Sequence, residues 1–312
     1  MAFAPNPELV HDKEQLPEDG YFGLSKELGQ LAPVAIAQMA ERFKMDFAEG
    51  KLGGRGAHGF LLLAKEAKDA GEERAVKVIV PADRDAAMHE IAMQSSLSGL
   101  KGFPTLRDHM NIELGGKLVV ALLMDVIPGH SLESIFAHKT AQNAPFTPQQ
   151  VLSFAQDLAE RFASLESAQT THEDPHLGNI MAHVETHGKL SAYIVDYGKC
   201  HKLDGDCEAD INHMGQWHAY NFALALVDII CFGRTDSGTA VYRMTGDVAV
   251  DRQPLLRTIQ SIGADKLLPA HLWAILRHQL TCRSGGLITA TELVSTLKKS
   301  KNVADDEETV YL

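Results

Sequence analysis

Cysteine is scarce. The chain of 312 residues carries four, Cys200, Cys207, Cys231 and Cys282, without a paired framework, which argues against a disulfide-built scaffold and implies reduced thiols. Cys200 and Cys207 with His201 and His213 match no zinc-ligand spacing, so they read as ordinary loop residues. Long apolar runs are also missing. The most apolar stretches, 118–124 and 222–232, are shorter than a membrane span, and the second contains Asp228. A basic excess is missing too: the formal charge of -12 argues against nucleic acid as the main partner and favours basic substrates or peptides. The opening residues, with Pro5 and Pro7 among polar groups, lack the basic, apolar, small-residue order of a secretory signal. A cytoplasmic protein is expected, and delivery into a host cell by a dedicated secretion machine would need no such signal either. No internal repeat and no low-complexity tract is present. The chain is rich in apolar residues, 45% of the total, enough for one large domain or two lobes.

Residues 1 to about 30 read as an irregular lead-in. The pattern from Ala32 to Phe47 then has helical spacing. Gly54, Gly56 and Gly59 form a G-x-G-x-x-G, a weak signal alone. The residues after the glycines sharpen it: no Gly-Lys-Ser/Thr ends the loop, and Phe60 to Leu63 is an apolar run suited to a strand rather than to the helix of a dinucleotide fold. A charged turn leads to the run from Ala75 to Val80, in which Lys77 is embedded. A lysine in an apolar strand needs an anionic partner. Glu90, in the amphipathic stretch with Met88, Ile91 and Leu97, is the candidate. A strand from Lys117 to Met124 ends in Asp125-Val126-Ile127-Pro128-Gly129, and Thr147-Pro148 signals the start of a buried helix with apolar positions from Val151 to Leu165.

The chemistry is expected in Thr171 to Met181. Asp174 could accept a hydroxyl proton, and Asn179 offers an amide oxygen to a hard cation. After the hairpin segment 183–189, the run Tyr193-Ile194-Val195 delivers a second carboxylate, Asp196, followed by Tyr197-Gly198. The order Gly54/Gly56/Gly59, Lys77, Glu90, Met124 to Gly129, Asp174/Asn179, Asp196, Asp228 resembles the protein kinase superfamily over roughly residues 48–300.

That resemblance implies an α+β, bilobal fold with a small β-rich lobe and a larger, mostly helical one. The domains would be an extension with a short helix over 1–47, the lobes over 48–125 and 126–300, and a flexible acidic tail over 301–312. It implies an ATP-binding enzyme that uses Mg2+. Gly54, Gly56 and Gly59 would cover the phosphates, Lys77 held by Glu90 would bind them, and Asn179 and Asp196 would hold the metal. The Asp125 carbonyl and the Ile127 amide would meet the adenine, with Met124 behind it. Asp174 would deprotonate the acceptor, expected to be a Ser or Thr hydroxyl on a protein, and Asp228 would brace the catalytic loop from a buried helix.

The departures from the pattern carry information. Glu173 stands where the family has the arginine that receives an activating phosphate, so independence from such phosphorylation is expected. His176 resembles the histidine of aminoglycoside- and choline-type kinases and of some atypical protein kinases; it could contact the transferred phosphate or be structural. Asp206 and Asp210 also resemble the aminoglycoside phosphotransferases, so a small-molecule acceptor is the alternative. No Ala-Pro-Glu segment is present beyond them. A pseudokinase scaffold and nucleotidyl transfer are the remaining readings, the first disfavoured by the retained charge set.

Overall fold

The computed structural model describes residues 26–56, 59–67, 71–79, 84–114, 117–137, 145–203, 208–232, 253–261, 263, 268–281 and 288–298. The tail 301–312, Asp206, Cys207 and Cys282 lie outside them. The protein is mixed α+β and divides into two compact units, with the boundary between Ile127 and Pro128.

The first unit opens with helix α1, Lys26–Phe43. The helix expected over 32–47 therefore starts earlier and stops sooner. Lys44 has a φ of 54°, a left-handed conformation that ends the helix, and Phe47 belongs to the following strand. Five strands follow: β1 (Met45–Gly56), β2 (Gly59–Glu66), β3 (Glu73–Ile79), β4 (Leu106–Leu114) and β5 (Lys117–Asp125). They form one antiparallel sheet in the order β1-β2-β3-β5-β4.

Strand alternation divides the apolar residues of this sheet between two cores. Phe60, Leu62, Val76, Val78, Val119, Ala121 and Leu123 pack with Ala35, Met39 and Phe43 of α1. Val120, Leu122 and Met124 point the other way and pack with Ile79 and with Ala87 and Ile91 of helix α2 (Arg84–Leu97). The first helix is thus part of the core of this unit, not an appendage to it. Lys77 pairs in register with Leu61 and Leu122, which places it on the α2 face of the sheet.

The second unit begins at a tight passage. Gly129 has a φ of 91°, and a Cβ there would lie 2.1 Å from the Ala182 carbonyl oxygen, so only glycine lets the chain run flush against its neighbour. Short strand β6 (His130–Ser131) and helix α3 (Leu132–Ala137) lead to α4 (Pro148–Ser167), which starts with a complete capping box between Thr147 and Gln150. Val151, Phe154, Leu158, Phe162 and Leu165 repeat at helical spacing and are buried.

Strands β7 (Thr170–His172), β8 (Ile180–Val184), β9 (Leu190–Ile194) and β10 (Cys200–Lys202) follow, then the long helix α5, Glu208–Cys231. Strands β6-β8-β9 form one small sheet and β10-β7 another. Helix α6 (Gln253–Ser261), a helix over Ala270–Thr281 and a last one over 290–298 complete the described residues. The Glu166 carboxylate on α4 accepts from the amides of Ala290 and Thr291, anchoring the start of that last helix, where a negative charge is favoured.

The β8–β9 hairpin is clamped onto α4. Ser153 Oγ donates to the Leu190 carbonyl and accepts from its amide, at 3.1 and 3.0 Å. Buried Asp157 receives Lys189 at 3.0 Å, and buried Arg161 donates to the Ala192 carbonyl at 3.3 Å. Charges taken out of water in this way are tolerated because each finds a partner.

Candidate functional site

Each unit holds its own cluster of the residues singled out in the sequence. In the first, Lys77 Nζ donates to Glu90 Oε1 at 2.5 Å, with the side chains 22% and 10% exposed. The pair joins the centre of the sheet to α2. Gly54 and Gly56 lie at the end of β1 and Gly59 opens β2, with Gly56 opposite Gly59 in register. The glycines therefore flank the tip of an antiparallel hairpin.

Met124 is buried at the end of β5. Asp125 closes that strand, and its amide is committed to the Thr105 carbonyl at 3.1 Å. Its carboxylate is gripped by Arg107 through two bonds of 2.7 and 2.8 Å and by Arg74 at 2.8 Å. The hydrogen bond from Arg107, with added attraction from Arg74, holds that carboxyl below the usual carboxylate range. Ile127 lies two residues past the strand and is half-buried. Arg74 and Arg107, which no sequence motif marks, fix this segment.

The second cluster is built around His172, at the end of β7. Its ring Nδ1 accepts from the Asp174 amide at 3.3 Å, so Nε2 carries the proton and donates to the Val195 carbonyl at 3.2 Å. Its carbonyl accepts from Trp217 Nε1 at 3.0 Å, and its amide donates to His218 Nε2 at 3.2 Å. One residue therefore ties together the loop carrying Asp174, the segment carrying Asp196, and α5. Trp217 and His218 of α5 thus hold His172 in place, and Asp228, expected to brace the loop, is buried further along the same helix.

Around Asp174 the loop is tightly tied. The Asp174 carbonyl accepts from the His176 amide and from Asn179 Nδ2, both at 2.9 Å. With its nitrogen so committed, Asn179 has its amide oxygen to offer a cation. Ile180 pairs with Ile194 in the hairpin, and the Val195 amide donates to the Asn179 carbonyl at 3.0 Å. Asn179 and Asp196 thereby come together at the open end of one hairpin. Asp196 is exposed and has a φ of 67°, a left-handed bend before Gly198. Tyr197 behind it is fully buried, meets His172 edge-on, and spends its hydroxyl on the Ile194 carbonyl at 2.7 Å.

Compared with known proteins, the chain matches no family model and no curated sequence.

His176 Nε2 stands 3.9 Å from Asp174 Oδ2, and its Nδ1 accepts from the Gly178 amide at 2.9 Å. The same Asp174 oxygen receives Lys199 Nζ at 2.8 Å. In the sequence nothing sets Lys199 apart, because a lysine after Tyr197-Gly198 is one charge among many. Asp210 is exposed at the start of α5. Among the described residues no group of three or more His, Cys, Asp or Glu side chains is poised to hold a metal. An Asn179–Asp196 pair fits Mg2+, which takes one or two carboxylates and completes its shell with water and substrate phosphates. No helix among the described residues is long and apolar enough to cross a membrane.

Burial makes His172 and His218 a measurable acid-sensitive element. It lowers the His172 pKa and pushes that of His218 down from 6.5 to about 3. Below pH 6.5 the unfolded chain takes up protons that the folded state refuses, so stability falls as pH drops through that window. From His218 alone the loss at pH 5 is about 2 kcal/mol. Urea midpoints at pH 7.5 and 5 should show it, with a shallower pH slope in His218→Gln; equal slopes would contradict a buried neutral His218.

Proposed function

We propose that the chain is an ATP-dependent phosphotransferase with a bilobal protein-kinase-like fold, moving the γ-phosphoryl group to a Ser or Thr hydroxyl on a protein. The observation that carries this reading is the hairpin juxtaposition of Asn179 and Asp196 beside the loop that holds Asp174. A carboxylate for the acceptor proton and an amide–carboxylate pair for a hard cation then share one scaffold. The Lys77–Glu90 pair in the other unit supports it, as a cation held by a carboxylate.

In this mechanism Lys77, held by Glu90, binds the α and β phosphates, and the amides around Gly54, Gly56 and Gly59 cover them. Mg2+ on Asn179 and Asp196 would neutralise phosphate charge. Asp174 orients the acceptor hydroxyl and takes its proton. Positioning and charge neutralisation provide most of the acceleration, because phosphoryl transfer passes through a loose transition state. Glu173 in place of an arginine leaves no phosphate-receiving cation there, so activity should need no phosphorylation of the chain itself.

The test is incubation of the purified protein with Mg2+ and γ-labelled ATP, first with a generic basic protein, then with small-molecule alcohols. Label on protein supports the reading. Label confined to a small molecule would replace the acceptor class, and transfer from α-labelled ATP would replace the reaction. Binding of ATP without any transfer would leave the scaffold reading.

A further inference from the structure

We propose that Lys199 is a further catalytic group of this site, donating a hydrogen bond to a nonbridging oxygen of the γ-phosphoryl group as it passes to the acceptor held by Asp174. The proposal rests on the phosphotransferase reading above.

The position of Lys199 follows from strand register. Cys200 pairs with His172 in the β10–β7 ladder, so the residue before Cys200 is brought beside the residues after His172. The Cys200 amide donates to the Tyr197 carbonyl at 3.0 Å, closing a turn that fixes Lys199 immediately after the bend carrying Asp196. Lys199 Nζ thus reaches Asp174 Oδ2 at 2.8 Å from a side chain 66% exposed. Surface ion pairs of this kind contribute little to stability, so a stabilising role explains its placement poorly.

Charge explains it better. Asp174, Asp196 and Glu173 all act on Lys199, and an anionic phosphoryl group brought to Asp174 would meet this acidity. A carboxylate base and a phosphoryl group repel each other at the distance that proton abstraction demands. A cation held on the base itself offsets that repulsion and is already in place when charge develops. The Asp174 hydrogen bond also raises the Lys199 pKa further, so it stays charged at any working pH. His176 Nε2 lies farther from the same oxygen, at 3.9 Å.

The step balances without further reagents. The acceptor oxygen forms a bond to the γ-phosphorus, and the bond from phosphorus to the β,γ-bridging oxygen breaks. ADP leaves with that electron pair, and the hydroxyl proton goes to Asp174. Lys199 keeps all its protons throughout.

The experiment compares wild type, Lys199→Met and Lys199→Arg, each alone and in the Asp174→Asn background, with γ-labelled ATP, Mg2+ and a generic basic protein. Lys199→Met should lower the transfer rate about 100-fold while the Kd for Mg·ATP moves less than about twofold, and Lys199→Arg should recover most of the rate. Lys199→Met should also slow the residual reaction of Asp174→Asn further, because the contact is with the phosphoryl group and not only with the carboxylate. An unchanged rate in Lys199→Met, or no additional loss in the Asp174→Asn background, would overturn the proposal. If Lys199→Met fails to melt like wild type, Lys199→Gln takes its place in the same comparison. A wild-type protein that transfers no label overturns the phosphotransferase reading itself, which separates that failure from a failure of Lys199 alone.

Discussion

Asp196→Ala should lose phosphoryl transfer by about a thousandfold or more while keeping its fold. Asp196 contributes the charged member of the proposed metal pair, and nothing in the neighbouring segment can replace it: Tyr197 is buried with its hydroxyl committed, and Gly198 has no side chain. The carboxylate accepts a long 3.3 Å bond from the Gly198 amide. Alanine at a φ of 67° adds strain of about 1 kcal/mol. A melting curve close to wild type, beside the loss of label transfer, separates chemistry from folding. Asp196→Asn keeps the bend and an oxygen but not the charge, and its rate should fall between the two. Transfer by Asp196→Ala at a tenth of the wild-type rate or more would remove Asp196 from the metal site.

The largest effect on stability is expected from Phe162→Ala, a loss of about 3–5 kcal/mol. Phe162 is fully buried on α4 and stacks against His218 of α5 with ring centroids 5.1 Å apart. Its removal opens a cavity between two helices already fixed by other contacts, so collapse can recover only part of the lost packing. The cavity also frees the ring that receives the His172 amide. Urea unfolding should therefore show the lower midpoint, and catalytic activity measured well below that midpoint should fall as well. A loss of less than about 1 kcal/mol would mean that α4 and α5 do not meet through this stack.

Much of this arrangement is legible in the sequence, wherever a local rule has one physical outcome. Thr147-Pro148 marks the start of α4 because an N-cap and a first-turn proline suit no other element as well. Lys77 within an apolar strand requires a carboxylate, and Glu90 meets it. The burial argument for Asp228 finds a buried residue of α5. The contacts that Trp217 and His218 of the same helix make with His172 are less legible, because their uncharged rings give no cost signal in sequence and are hard to tell from core residues. Lys199 is hidden for another reason: its neighbour Asp174 is set by the β10–β7 register, which no local pattern in either segment announces. The end of α1 at Phe43 is similarly obscured, since Met45 and Phe47 continue an apolar pattern that a helix and a strand can share.

The His172 amide donates to an imidazole nitrogen rather than to a carbonyl, inside a part of the protein closed to water. Its exchange with deuterium therefore requires that α5 release the loop, and a single backbone proton becomes a clock for how long the Asp174 segment stays attached. Under the proposed function, nucleotide at the site should slow that clock through the hairpin, whereas agents that loosen α5 should quicken it even when they never touch a phosphate.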